Sequence, residues 1–118
     1  MTRPTPTPPY RPGDLVRVRF TFTNQTEWKL RPAVVLSVEA FNNQHHADVI
    51  MMPLSRHAGS AFAERAVLDW RAAGLDGPTN YKAQIQTIQQ STIAGLYGHL
   101  TPSDHDLVKT IVRELLNV

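Results

Sequence analysis

The sequence predicts a mainly β protein, a small and strongly curved sheet or barrel that carries one C-terminal helix. Five or six short apolar segments are separated by turn-forming residues, which is the pattern of a small curved sheet. The C-terminal segment instead repeats its apolar residues at three- and four-residue spacing, as an amphipathic helix does. With 118 residues, of which 42% are hydrophobic and 19% charged, the chain is long enough to bury one core.

The first twelve residues differ in composition from the rest of the chain. They hold five of the nine prolines, mixed with Thr and Arg, and they offer little apolar surface for burial. We therefore predict a Pro-rich, disordered tail over residues 1–12 and a single domain over residues 13–118.

Three strands are predicted in the first half of the domain. From Val16 to Phe22 apolar residues alternate with basic and polar ones, which indicates a half-buried strand. Residues 33–38 are apolar on both faces and predict a central strand, which Pro32 opens because proline lacks an amide proton. Residues 47–54 predict the third strand, and the polar residues 41–46 connect it to the second.

Shorter elements are predicted after residue 54. Residues 66–70 resemble a short strand, and residues 84–88 are expected to form the last strand. Residues 91–100 predict a turn or a single helical turn, because Gly95 and Gly98 interrupt any longer element.

The clearest element is the C-terminal helix. Thr101 is the predicted N-cap, Pro102 takes the first helical position and Asp104 the third, as in a capping box with Asp in place of Glu or Gln. The apolar positions that follow share one face and are Leu107, Val108, Ile111, Val112, Leu115 and Leu116. This face is expected to pack on the sheet.

Composition excludes several classes of protein. The chain has no cysteine, so disulfide scaffolds and thiolate metal sites are excluded. His45 and His46 are adjacent and point to opposite faces of an extended chain, so we predict no metal site there. No signal-peptide pattern and no apolar run of membrane-spanning length is found, so we expect a cytoplasmic protein without membrane contact.

Positive charge is concentrated before residue 32. Six Lys and Arg residues stand there against two acidic residues, an excess that favours a polyanion or an acidic partner. Within this region Arg31 immediately precedes Pro32, at the predicted entrance of a buried strand. A guanidinium held there can bind a phosphate or a carboxylate, and the alternative is a structural Arg that pairs with a nearby Asp.

Several segments follow one another in a recognisable order. They begin with residues 13–16 (Gly-Asp-Leu-Val), 29–37 (Lys-Leu-Arg-Pro-Ala-Val-Val-Leu-Ser) and 48–55 (Asp-Val-Ile-Met-Met-Pro-Leu-Ser), and continue with residues 73–75, 84–88 and 96–100. In this order and spacing the chain resembles the MazF/PemK toxins of toxin–antitoxin modules, over residues 13–116.

The resemblance implies the fold and the activity of that family. The expected fold is an SH3-like, CcdB/MazF-type β-barrel, mainly β with α, which forms a homodimer. The expected activity is ribosome-independent, sequence-specific cleavage of single-stranded RNA such as mRNA, without a metal ion or other cofactor. The expected protein partner is a cognate antitoxin whose extended tail blocks the site.

The resemblance also assigns site residues. Arg31 matches the family's active-site Arg and would clamp the scissile phosphate. Ser55 matches the Thr or Ser whose hydroxyl binds the same phosphate. Further candidates for RNA contact, each with an ordinary structural or surface role as the alternative, are Lys29, Trp28, His57 and Lys82. His57 and Lys82 are also candidates for proton transfer.

The sequence departs from the family pattern where an acid–base pair is expected. PemK-type members carry an acid and an Arg just ahead of the Gln of a Q-x-R-T-I segment, whereas Tyr81, Lys82 and Ala83 stand there. Gln86 stands at the position where that segment carries its Arg. Glu27 is the substitute general base, because some MazF members place a Glu in this loop. A solvated loop carboxylate is the alternative.

Two other functions stay open. The missing acid–base pair favours a catalytically degenerate MazF/PemK-like domain that binds RNA or a protein partner without cleavage. A gyrase poison on the same fold, as in CcdB, is the third possibility, and Arg31 and Ser55 argue against it.

Overall fold

The computed structural model describes residues 10–21, 28–44, 48–57, 62 and 65–118. The strands in these ranges are β1 Asp14–Thr21, β2 Trp28–Val35, β3 Asp48–Ser55, β4 Arg65–Ala66, β5 Asn80–Tyr81, β6 Gln86–Gln89 and β7 Ile93–His99. The helices are α1 Glu39–Asn42 and α2 Pro102–Leu116, and a 3-10 turn covers Gln90–Thr92. No described helix has both the length and the apolar composition needed to cross a membrane.

The strands form one curved antiparallel sheet, which confirms the predicted fold class. Their order is β4-β5-β3-β2-β1-β7. β6 pairs with the first half of β3, and β5 pairs with the last two residues of β3 along the same edge. β4 and β7 stand at opposite ends of this order, so among the described strands the sheet curves without closing into a barrel.

Alternation along the strands divides the core between the two faces of the sheet. The face that α2 covers is built around Leu15, Val34 and Met52 and receives Val108 and Ile111 of the helix. The buried residues of the opposite face are Tyr10, Val16, Val18, Ala33, Val35, Val49, Met51 and Ile93. Neighbouring residues of β1 thus enter different cores, because successive side chains of a strand point to opposite faces.

The helix α2 confirms the predicted start. Thr101 is the N-cap, and its Oγ1 accepts a hydrogen bond from the amide of Asp104 at 3.3 Å. Pro102 is the first helical residue, where its missing amide proton leaves no intrahelical bond unmade. The helix ends at Leu116, and its C-cap is Asn117, whose φ of 57° is the left-handed conformation common at helix C-termini.

Asp104 also binds outside its own helix, because its fully buried carboxylate accepts four hydrogen bonds. Its Oδ1 accepts from the amide of Leu68 at 2.7 Å and from the hydroxyl of Tyr81 at 2.8 Å. Its Oδ2 accepts from the amide of Asp69 at 2.9 Å and from the hydroxyl of Thr101 at 3.3 Å. Four donors compensate the removal of a carboxylate from water, so Asp104 ties α2 to β5 and to the turn after β4.

The second strand begins earlier than the sequence predicts. We expected Pro32 to open the strand, whereas β2 starts at Trp28 and Pro32 lies inside it, opposite Arg17 of β1. Residues 28–34 pair with β1, whereas only residues 33–35 pair with β3. Pro32 therefore has an edge position on one side, the environment in which a strand tolerates proline.

The second half of the sheet differs most from the prediction. Residues 91–100, expected as a turn or a single helical turn, contain the whole of β7. Gly98 is required there, because a Cβ would lie 2.4 Å from the carbonyl oxygen of Ala73. The predicted strand over residues 66–70 is reduced to β4 and a following turn, and β5 has no counterpart in the sequence pattern.

The predicted polar connection over residues 41–46 begins inside α1 and contains a buried amide. The Nδ2 of Asn42 donates to the carbonyl oxygens of Tyr10 and Ser37, each at 2.7 Å. Tyr10 is itself only 5% exposed, so it packs into the core although the sequence places it in the tail. Residues 1–9 of that tail, and His45 and His46, lie outside the described residues.

Candidate active site

A cleft opens between β2 and β3 where their pairing ends. The two strands pair only through residues 33–35 and 51–53. Next to this short ladder lies a cavity of about 260 Å³. Its lining includes Leu30, Arg31, Pro32, Ser55, Arg56, His57 and Asp76.

Pro32 explains why the ladder stops at this point. The amide of Leu36 donates to the carbonyl oxygen of Ile50 at 2.8 Å, and such positions recur at every second residue of an antiparallel pair. Four residues before Leu36, the same side of β2 presents Pro32, opposite Leu54 in the extended register. Proline has no amide proton, so it cannot donate to the carbonyl of Leu54 and the ladder ends.

Arg31 and Ser55 occupy corresponding positions across this cleft. Extending the register of Ala33 and Pro53 by two residues places Arg31 opposite Ser55, on the same face of the two strands. The Oγ of Ser55 accepts a hydrogen bond from the amide of His57 at 3.1 Å, which leaves the hydroxyl proton available for donation. The fold thus brings together the two residues predicted to bind one phosphate.

His57 lines the same cleft, together with two charged residues that the sequence did not single out. The Nη2 of Arg56 lies 2.6 Å from the Oδ1 of Asp76. Arg56 stands between two predicted site residues, so its position directly after Ser55 was an available signal. Asp76 comes from a segment rich in turn residues, and only long-range packing places it beside the cleft.

The remaining candidates near Arg31 are only partly placed. Lys29 is exposed on β2, two residues before Arg31 and therefore on the same face of the strand, but it does not line the cavity. Trp28 is the first residue of β2. Glu27, the predicted general base, lies outside the described residues.

The segment that replaces the expected acid–base pair has a structural role. Tyr81 is fully buried, and its burial and its hydrogen bond to Asp104 raise the pKa of its phenol far above the ordinary value. Lys82 does not line the cavity, and its amide donates to the carbonyl of Pro53 at 2.9 Å. Tyr81 is therefore part of the core, and the RNA contact of Lys82 stays a prediction.

The lining of the cleft suits an anion. Arg31, Arg56, the hydroxyl of Ser55 and the ring of His57 line it, against Asp76 as the one described carboxylate. Guanidinium groups match phosphate well, because their fork of donors meets two oxygens at once. Within the described part of the chain no three His, Asp or Glu side chains come together as a metal site.

The fold is shared with solved structures of toxins. An endoribonuclease in complex with its cognate antitoxin from a mycobacterial species is 21% identical, with a TM-score of 0.72 over 94% of this chain and 97% of that one. The Mycobacterium tuberculosis toxin MazF-mt6 is 19% identical, with a TM-score of 0.71 over 92% and 98%. MazF in a MazE-MazF structure from Deinococcus radiodurans is 21% identical, with a TM-score of 0.74 over 92% and 96%.

At identities of 19–21% these structural similarities show the fold alone, whereas family membership rests on the sequence. No curated protein matches the chain. The family model of the PemK-like, MazF-like toxins matches residues 11–116. This range contains every described strand and all the residues that line the cleft. The chain therefore belongs to the PemK-like, MazF-like toxin family of type II toxin–antitoxin systems.

Proposed function

We propose that this protein is a ribosome-independent endoribonuclease toxin that cleaves single-stranded RNA without a metal ion. Family membership and the solved endoribonucleases of the same fold support this activity. The observation that carries the proposal is the position of Arg31 opposite Ser55, in a cleft lined mainly by cationic and hydrogen-bonding groups. Since mRNA is the substrate, the proposal places the activity in the cytoplasm.

The proposed reaction exchanges one phosphorus–oxygen bond for another. A ribose 2′-oxygen attacks the adjacent phosphorus and the 5′-oxygen of the next nucleotide leaves, which yields a 2′,3′-cyclic phosphate and a 5′-hydroxyl. Arg31 and Ser55 donate hydrogen bonds to the non-bridging oxygens, whose negative charge grows in the transition state. Donors that are fixed beforehand stabilise this charge without reorganisation.

Two residues are proposed to move protons. One base must take the proton of the 2′-hydroxyl, and one acid must give a proton to the leaving 5′-oxygen. His57 lines the cleft, and the ring nitrogens of an imidazole can both accept and donate a proton. Glu27 precedes β2 directly and remains the proposed second group. A pH–rate profile that loses one limb in Glu27→Gln and the other in His57→Gln would assign the two roles.

The proposed partners are a cognate antitoxin and a second copy of the chain. One neighbouring solved structure is an endoribonuclease in complex with its cognate antitoxin, which supports an antitoxin as the inhibitor of this cleft. We propose that an antitoxin segment covers the same cations that would hold RNA, so RNA and antitoxin compete for the cleft.

The test uses mixed single-stranded RNA in EDTA. Wild-type protein should give discrete fragments, and Arg31→Ala should lower the cleavage rate by about 10²- to 10³-fold, as expected for loss of a charge-stabilising donor. Ser55→Ala should also slow cleavage, whereas Arg113→Ala, an equivalent change on the exposed face of α2, should not. Intact RNA with wild-type protein, or equal rates for the Arg31 and Arg113 variants, contradicts the proposal.

A domain that binds RNA without cleaving it is the second candidate function. The observation that favours it is the buried Tyr81 in the segment where the family's acid–base pair is expected. It predicts a gel shift in which the recovered RNA is intact at every protein concentration.

A further inference from the structure

The ion pair of Arg56 and Asp76 stands in the wall of the cleft. The Nη2 of Arg56 and the Oδ1 of Asp76 are 2.6 Å apart, and both residues line the cavity beside Ser55. The side chains are 59% and 86% exposed, so water and a ligand can reach both. Asp76 is also the one carboxylate among the described residues of this lining.

Gly77 keeps the guanidinium of Arg56 close to the backbone. A Cβ at residue 77 would lie 3.0 Å from one terminal nitrogen of Arg56 and 3.2 Å from its central carbon. The guanidinium therefore lies over the glycine, in space that a side chain would take. An exposed Arg normally samples many rotamers, whereas here the carboxylate and the glycine favour one position.

We propose that Arg56 is a second phosphate-binding residue and that Asp76 is the anion it exchanges for RNA. The inference rests on the proposed function and adds a binding residue to it. A carboxylate and a phosphate present similar pairs of oxygens to a guanidinium, so the internal partner occupies the position that a phosphate of the substrate takes. Since Arg31 and Ser55 are assigned to the scissile phosphate, Arg56 is assigned to a neighbouring one.

This arrangement has opposite consequences for the two residues. Loss of Arg56 removes one contact to the RNA backbone and the counterion release that accompanies it. Loss of the charge on Asp76 removes the internal competitor of the phosphate, so RNA binding should become tighter. The effect of the Asp76 change depends on Arg56 and disappears when Arg56 is absent.

Binding of a 2′-O-methyl RNA oligonucleotide tests the proposal, because this probe lacks the attacking hydroxyl and stays intact. Its dissociation constant is measured by fluorescence anisotropy at several salt concentrations. Arg56→Ala should weaken binding by about 3- to 10-fold and lower the slope of log Kd against log salt by about 0.7, the value for one phosphate of a single strand. Asp76→Asn should tighten binding about 3-fold, and should change nothing in the Arg56→Ala background.

Arg65→Ala is the matched control. Arg65 also forms an exposed ion pair, with Glu114 at 3.0 Å, but it does not line the cleft. Equal binding by the Arg56 and Arg65 variants overturns the proposal, as does weaker binding by Asp76→Asn. Cleavage that still depends on Arg31 would then leave the proposed function intact, whereas a wild-type protein that neither binds nor cleaves RNA overturns both. Thermal unfolding of each variant shows whether it folds. If Arg56→Ala does not fold, Arg56→Lys replaces it in the binding measurements.

Discussion

The hydroxyl of Tyr81 donates to the Oδ1 of Asp104 at 2.8 Å, and both residues are fully buried. Tyr81 belongs to β5, which pairs with Leu54 and Ser55 at the end of β3. Asp104 belongs to the first turn of α2. The C-terminal helix therefore holds the strand that flanks one wall of the cleft.

Removal of this hydrogen bond should destabilise the protein. Tyr81→Phe removes the hydroxyl that donates to the Oδ1 of Asp104, so this oxygen keeps the hydrogen bond from the amide of Leu68. We expect the free energy of unfolding to fall by about 1.5–3 kcal/mol, the usual contribution of a hydrogen bond to a charged group. Urea denaturation measures the change. Asp106→Ala, an exposed acid of the same helix, should change it by less than about 0.5 kcal/mol, and equal values for the two variants would contradict the prediction.

Replacement of Pro32 should lengthen the ladder between β2 and β3. Pro32→Ala adds an amide that faces the carbonyl of Leu54, so the two strands gain a hydrogen bond and the cleft narrows. We expect slow hydrogen exchange at the new amide and at least about a tenfold loss of RNA cleavage, because the cleft geometry is altered. Pro78→Ala, at an exposed residue outside the strands and helices, is the control. Rapid exchange at residue 32 with unchanged cleavage would refute this account of the cleft.

Gly74 should not tolerate a side chain. Its φ is 93°, and a Cβ there would lie 2.2 Å from the carbonyl oxygen of Tyr97 in β7. Gly74→Ala should lower the free energy of unfolding by about 2–4 kcal/mol, through backbone strain and displacement of the turn from the strand. Gly95→Ala is the control, because the nearest atom to its Cβ is 3.8 Å away, on Arg17. Equal midpoints of thermal unfolding for the two variants would show that β7 can move away from residue 74 without loss of stability.

His105 should make stability dependent on pH. Burial lowers the pKa of His105, and Lys109 and His99 lower it further, against a smaller opposing effect of Asp106. The unfolded chain thus binds this proton more tightly, so the free energy of unfolding falls as the pH drops below about 6.5 and towards the lowered pKa. His105→Gln should reduce the difference in urea midpoint between pH 7.5 and pH 5. An identical difference in the variant would exclude His105 as the source.

Local patterns were sufficient for the elements that depend on local interactions. The N-cap at Thr101 and the apolar spacing that follows specify α2 within a few residues, and strict alternation specifies β1. The prediction for β7 was wrong because a glycine such as Gly98 usually interrupts a regular element. In the structure this glycine lies within the strand and leaves space for the carbonyl of Ala73. β5 is only two residues long and depends on the contact of Tyr81 with a helix more than twenty residues later.

The candidate site divides in the same way. Arg31 and Ser55 lie at the boundaries of apolar strands, so segment order alone could place them. Asp76 carries no such pattern, and its contact with Arg56 spans twenty residues of sequence. The cleft itself follows from Pro32. We predicted correctly that its missing amide proton limits hydrogen bonding, but we placed it at the start of the strand, whereas it lies inside β2.

The carboxylate of Asp104 also sets an order of events during translation. Every strand of the described sheet precedes it in the chain, so β5 and the turn after β4 leave the ribosome before their buried acceptor does. Until α2 emerges, the hydroxyl of Tyr81 and the amides of Leu68 and Asp69 lack this acceptor. A nascent chain thus completes the support for the strand that flanks the cleft only after the last strand of the described sheet has been made.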